Sequence, residues 1–236
     1  MPAAGAKGLK VLSAGSALYG LRPASEMFAR DAGVAVEVTT DHGHNIHRAA
    51  MRGEAHADVV ALPADMIAAL AAAGLTDRET TIVIGAVRIG AAMRADAPRV
   101  DVATMAALRR ALLTADAVLL TLAPTGDHLM RVIARLGLAD AIAGKVERFE
   151  TSALLNRHLV EGAGTGAIGF GPATEIHAWR DKSVAYAGAI PDEVQVVLPY
   201  AAAMLMRTQA REAARALLAF LATPAAHGHF RASGVE

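Results

Sequence analysis

The feature that most constrains the fold of this chain is a rhythm. A short apolar run, a turn of small residues and a stretch of roughly ten residues with helical spacing follow one another repeatedly. Leu9 to Leu12 reads as a strand, Gly15 to Gly20 as a loop, and Pro23 to Ala32 as a helix with Met27 and Phe28 on one side and Glu26, Arg30 and Asp31 on the other. Gly33 is placed to cap that helix, and Val34 to Val38 alternates as a strand does. The unit then recurs as helix Asn45 to Arg52, strand Ala57 to Leu62 and helix Ala64 to Ala73, ended by Gly74. Returning a strand to the same end of a sheet requires a crossover, usually a helix, so this order predicts parallel strands in an α/β fold. Ligands of such sheets gather where strands end and helices begin.

Beyond an apolar run from Thr81 to Met93, broken by Gly85, Arg88 and Gly90, the pattern continues. A helix is expected from Val102 to Leu113, a strand from Ala117 to Leu122, helices from Asp127 to Arg135 and Thr151 to Val160, and a strand from Gly166 to Phe170. A turn at Pro191 and Asp192 leads to a strand Gln195 to Pro199 and a further one through Met206. The helix Arg207 to Leu221 precedes the tail TPAAHGHFRASGVE.

Composition narrows the functions. The 236 residues are 54% hydrophobic, enough for one large or two modest cores. Lys and Arg number 23 and Asp and Glu 23, so no net field attracts nucleic acid or a membrane surface, and an anion must be caught locally. With no cysteine, disulfides, thiolate metal sites and cysteine nucleophiles are excluded. Apolar stretches such as Met66 to Leu75 fall short of the roughly 20 residues of a membrane span. The opening MPAAGAKGLKVLS has no apolar core of secretory type. The expected location is therefore periplasmic if a signal has been removed and cytoplasmic otherwise.

Four helix mouths carry polar groups beside free backbone N–H groups: SAGSALYG with Ser13 and Ser16, DHGHN, PTGDH, and ETSALLN. The helix dipole favours an anion at each, although Ser, Thr and Asp there also serve as ordinary caps. The stretch TTDHGHNIHRAA adds three histidines. His44 and His47 share a helix face, and with Asp41 they could meet a metal. Facing a carboxylate, an imidazole is favoured as a cation that neutralises the anion or transfers a proton. A solvated turn is the third reading, and residue spacing leaves the three open. Arg88, inside the apolar AVRIGAAM, needs an oxyanion partner or a route to solvent. Glu175, His177 and Trp179 in PATEIHAWRD read as groups that cap and cover a helix, and the terminal HGHF as surface. Neither a nucleophile elbow, nor a P-loop, nor a dinucleotide fingerprint after the first strand is present.

The order of these motifs resembles a known family, the type II periplasmic solute-binding proteins of the molybdate-binding-like branch. The resemblance is carried by LKVLSAGSALYGLRPASEMFARDAGVAVEV, MRGEAHADVVALPADMIAALAAAGL, VRIGAAMR, VIARLGLADAI, GAIGFGPATEI, GAIPDEVQVVLPYAAAM and LLAFLATPAAHGHFRASGVE, nearly the whole chain. It implies a two-lobe α/β fold with mixed sheets and a cleft between the lobes, lobe one holding residues 1–86 and 195–236 and lobe two 87–194. It also implies ligand-binding roles for Ser13, Ser16, His42, Gly43, His44, Arg88, Thr125, Gly126, Ser152 and Thr174, with no cofactor and no metal. The family's serine-rich turn is replaced here by His42, Gly43, His44 and Asn45, and its binding tyrosine falls at or near Pro172. These departures suit an organic carboxylate better than molybdate.

Two functions follow from the resemblance. One is a solute receptor of an ABC importer that clamps a tricarboxylate, a dicarboxylate or a molybdate-like oxyanion, with a permease as partner and with neither nucleic acid nor membrane insertion. The other is a cofactor-free isomerase of a small tricarboxylate such as aconitate, with His42 or His44 as the acid/base group.

Overall fold

Strand β1 (Leu9–Ala14) passes without a loop into helix α1 (Gly15–Ala32). The computed structural model in which this is seen describes residues 8–236, so the opening stretch that bears on a secretory signal lies outside the described residues. The loop expected at Gly15 to Gly20 is therefore the first turn and a half of a helix. The reason is tertiary: Ala17, Leu21, Ala24 and Phe28 lie on one buried stripe of α1, and carrying that stripe back over β1 requires the helix to start at once. Gly20 lies on the same side, where a Cβ would come within 2.4 Å of the Phe230 ring and 2.8 Å of its Cα. Glycine is there for close approach, and Gly33 ends the helix at φ 65°, as its place in the sequence suggests.

The described chain divides into two units. The first runs up to Val87 and resumes at Leu198–Glu236. In it β1 pairs in parallel with β2 (Val36–Asp41) and β3 (Val59–Pro63), and β3 pairs antiparallel with β9 (Val197–Met204). Helices α2 (Gly43–Met51) and α3 (Ala64–Ala72) follow β2 and β3. After β9 come α9 (Arg211–Leu221) and α10 (Pro224–Ala232), both packed on α1. Residues Gln195 to Met206 were expected to form two strands, but they supply only one. The ladder to β3 opens at Tyr200, just past Pro199, which has no N–H to give.

The second unit is Arg88–Val197. Strand β4 (Ile82–Arg94) enters it and pairs antiparallel with β7 (Ile168–Pro172) and with β8 (Val184–Ala189). Strand β5 (Val118–Thr121) runs parallel to β6 (Val146–Phe149) and to β7. Helices α4 (Met105–Thr114), α5 (Pro124–Arg135), α6 (Ala139–Ile142), α7 (Ser152–Glu161) and α8 (Ala173–His177) complete it. Strands β6 and β8 escape the sequence reading because VERF and VAYAGA are too short and mixed to show a period. The class is thus α/β, as the alternation predicts, and the antiparallel pairs of β9, β4 and β8 make the sheets mixed, as the resemblance implies. Among the described residues no helix is long and apolar enough to cross a membrane.

Gln195 does not belong to a strand, but its side chain acts as one. Its Oε1 accepts from Ile89 N at 2.8 Å, and its Nε2 donates to Ile89 O at 3.0 Å and to Ile190 O at 3.1 Å. The amide thereby satisfies both backbone groups of a β4 residue, as a neighbouring strand would. Helix α9 begins at Arg211 rather than Arg207, because Thr208 holds the preceding turn. Its Oγ1 donates to Asp58 at 2.5 Å and accepts from Ala210 N at 3.0 Å.

Two stability predictions follow. A Cβ at Gly126 would lie 1.9 Å from the Thr121 carbonyl oxygen, a backbone atom that cannot step aside, whereas one at Gly144 meets nothing. Urea unfolding is expected to show Gly126→Ala destabilised by about 1–3 kcal/mol and Gly144→Ala changed by no more than about 0.5 kcal/mol. Gly20→Ala, crowding Phe230, is expected to cost a similar 1–3 kcal/mol or so and to lower the hydrogen-exchange protection of α10 before that of β1. Equal loss in both elements would show that α10 is not the part displaced.

Candidate functional site

In each unit the parallel strands end at one edge, and helices begin there. In the first unit Ala14 of β1 is level with Asp41 of β2, and Ser13 with Ala61 of β3. The starts of α1, α2 and α3 are accordingly brought together. A Cβ at Gly43 would lie 3.6 Å from the Ala14 Cβ, 3.6 Å from Pro63 Cδ and 3.8 Å from Met66 Sδ, so one small residue touches all three turns.

These three helices share a property that the sequence did not make obvious. Their N-cap residues are Ala14, His42 and Pro63, and none caps its helix with a side-chain hydrogen bond. By contrast Thr104, Thr151 and Thr223 do cap α4, α7 and α10. The first N–H groups of a helix have no acceptor within it, and three such ends without side-chain caps concentrate donors and positive dipole ends in one place.

The side chains around these ends behave differently from one another. Ser13 is fully buried and its Oγ donates to the Ala14 carbonyl at 2.9 Å, so its proton is engaged within the strand. Ser16, in the first turn of α1, is buried. His42 and His44 are exposed, Gly43 half-buried. Asp41 does not join them as a metal ligand. Its Oδ1 accepts from His42 N at 2.6 Å and from Asn45 Nδ2 at 3.1 Å. Those bonds, the Asn45 amide first and the His42 N–H second, hold its carboxyl below the usual carboxylate range. Among the described residues no group of three or more His, Asp or Glu stands in metal-holding proximity.

In the second unit the corresponding edge is formed by β5, β6 and β7. Thr121 is level with Phe149, and Leu119 with Gly169. Helix α5 starts behind Ala123, again without a side-chain cap, and the Thr125 and Thr121 hydroxyls lie 3.3 Å apart. Gly126 fits closely over the Thr121 carbonyl. The turn is clamped from β6 by Arg148, whose Nη2 donates at 2.6 Å both to that carbonyl and to Asp127 Oδ1. No sequence signal marks Arg148, because RFE has no recognisable pattern. Ser152 opens α7 and its Oγ lies 3.6 Å from where a Gly171 Cβ would be. Thr174, at the start of α8, is completely buried, and its hydroxyl has no hydrogen-bond partner.

Arg88 finds the partner its setting demands within its own unit. Its Nη2 pairs with Asp192, which the expected turn at Pro191 brings beneath it. His177 is half-buried against Tyr186, ring centroids 4.8 Å apart, and burial, then the Arg180 charge, push its imidazole towards neutrality. It packs on a residue of β8, whereas its place in the sequence suggests a group covering a helix. The histidines of HGHF are half-buried rather than on the surface, with His227 edge-on to the buried Phe230.

Comparison with known proteins accords with this geometry. A family model described as bacterial extracellular solute-binding protein matches residues 9–236. The chain is 27% identical over 234 residues to an aconitate isomerase of a Pseudomonas species, spanning 97% of this chain and 87% of that one. Its fold is that of the periplasmic molybdate-binding protein of Azotobacter vinelandii, with a TM-score of 0.75 at 18% identity over 97% of this chain and 98% of that one. The sulfate-binding protein SubI of Mycobacterium tuberculosis is similar with a TM-score of 0.69 at 17% identity, covering 97% and 86%. Together with the strand order and the helix starts gathered at each strand edge, the match across nearly every described residue shows that the chain belongs to the bacterial extracellular solute-binding protein family.

Proposed function

We propose that the protein is an importer-type solute receptor whose ligand is a small organic carboxylate, with a tricarboxylate preferred to molybdate. The observation that carries this reading is the meeting of three helix starts without side-chain caps around Gly43, at a turn where His42 and His44 supply imidazoles. A tetrahedral oxyanion held by neutral donors needs many of them. Here Ser13 has its hydroxyl engaged and the α2 turn offers imidazoles in place of hydroxyls, which suits a planar carboxylate met by a few directed N–H donors. The proposed contacts of the first unit are Ser16, His42, Gly43 and His44, and those of the second unit, taken by itself, are Thr125, Gly126, Ser152 and Thr174. Arg88, held by Asp192, acts on the ligand only if that pair opens.

A second reading is favoured by the aconitate isomerase of Pseudomonas, the relative at 27% identity. In it, one imidazole removes a proton from the methylene beside the double bond of a bound tricarboxylate. The electron pair moves through the allylic carbons, and a proton returns at the far carbon. No redox partner is required, and the charge that develops is carried by the carboxylates against the helix ends.

A thermal-shift series separates these ligands, since a ligand at a hundredfold excess over its Kd stabilises the folded state by about 2.7 kcal/mol. Citrate and cis- and trans-aconitate are expected to raise Tm more than molybdate or sulfate do. A larger shift with molybdate would overturn the carboxylate reading. Incubation with cis-aconitate, followed by chromatography of the isomers, decides between receptor and enzyme: an unchanged ratio at high protein concentration retires the isomerase.

His44→Ala is expected to weaken carboxylate binding about tenfold, the loss of roughly one charge-assisted hydrogen bond, while Tm without ligand stays within about a degree. Isothermal titration of both proteins measures this, and equal affinities would return His44 to the solvated turn.

A further inference from the structure

Two polar side chains of the second unit are buried without being satisfied. Asn156, 1% exposed on α7, donates from Nδ2 to the Glu175 carbonyl at 3.2 Å, leaving Oδ1 buried with no partner. That bond also fixes which end of the amide is oxygen, since a carbonyl can only accept. Thr174, wholly buried and one residue before Glu175, has a hydroxyl with no partner either. Asn156 lies on α7 one helical turn after Ser152 and is tied through the Glu175 carbonyl to α8, which Thr174 helps to open just after β7. A buried polar group left unmatched is destabilising, so two on neighbouring elements call for an explanation.

Their chemistry is selective. Asn156 Oδ1 can only accept, and the Thr174 hydroxyl can donate or accept. An amide oxygen repels the oxygens of a fully ionised oxyanion. It is satisfied instead by an O–H, and a hydroxyl that donates to it can accept from Thr174 in turn. We propose that Asn156 and Thr174 form a subsite for a hydroxyl group on the ligand, so that the solute is a hydroxy acid rather than a plain carboxylate or an inorganic oxyanion. This rests on the carboxylate reading above and adds Asn156 to the contacts named there.

The test compares acids that differ by that one hydroxyl: citrate against tricarballylate, and malate against succinate. A site built to bond a hydroxyl discriminates strongly against the analogue without it. In calorimetric titrations the natural chain is expected to prefer the hydroxy acid of at least one pair by tenfold or more. Thr174→Val, nearly the same shape, is expected to reduce that preference to less than threefold, and Thr174→Ser to restore it. Without ligand, Thr174→Val is expected to raise Tm, because a buried unmatched hydroxyl is removed. Equal affinity for both members of each pair overturns the subsite and leaves the carboxylate reading standing. Binding of none of the four acids removes both. A lower Tm for Thr174→Val shows the hydroxyl to be a satisfied structural group and also overturns the subsite.

Discussion

The parallel arrangement of β1, β2 and β3, and of β5, β6 and β7, is the constraint on which the rest depends. Parallel strands deliver every following helix to the same edge, and the N-terminal N–H groups of those helices have no partner within them. A side-chain cap would answer them, as threonines do for α4, α7 and α10. At α1, α2, α3 and α5 the N-cap is alanine, histidine or proline, and none supplies that bond. These helices are held by their buried stripes rather than by side-chain caps.

Around those ends the chain uses small residues where backbone must approach backbone. Gly126 lies over the Thr121 carbonyl and Gly43 at the junction of three turns, so each turn has one shape. Arg148 then holds the α5 turn from a neighbouring strand. Preorganisation of this kind matters for a binding protein, because donors already fixed lose little entropy when a ligand arrives. The buried unsatisfied groups at Asn156 and Thr174 fit the same pattern if they form the hydroxyl subsite proposed above, since a site that awaits a partner is less stable without it.

Charged groups in the second unit are tied to one another. Arg88 meets Asp192, and Arg148 meets Asp127. Local pairing of this sort is the structural side of a balanced composition. In the function proposed above, selectivity for an anion would come from helix ends and the histidines of α2, since a balanced composition gives only weak long-range attraction.

How far the letters alone reach depends on the range of the physical effect. Local rules were legible: the alternation of strands and helices, the positive-φ cap at Gly33, the helix starts at Ser152 and near Pro124, and the need of Arg88 for a carboxylate. Each is decided within a few residues by sterics, propensity or desolvation. Other features were settled only by residues distant in sequence. Helix α1 begins at Gly15 because Phe230 and the first core receive its buried face. Gln195 replaces a strand because Ile89 passes beside it. Asn156 is buried because α8 folds over it. The sequence by itself determined the class of fold and where helices could meet an anion, since periodicity and turn chemistry are local. Only tertiary structure decided which hydroxyls are spent, which acids are paired and which polar atoms remain unmatched, because satisfaction of a polar group depends on what the rest of the chain brings against it.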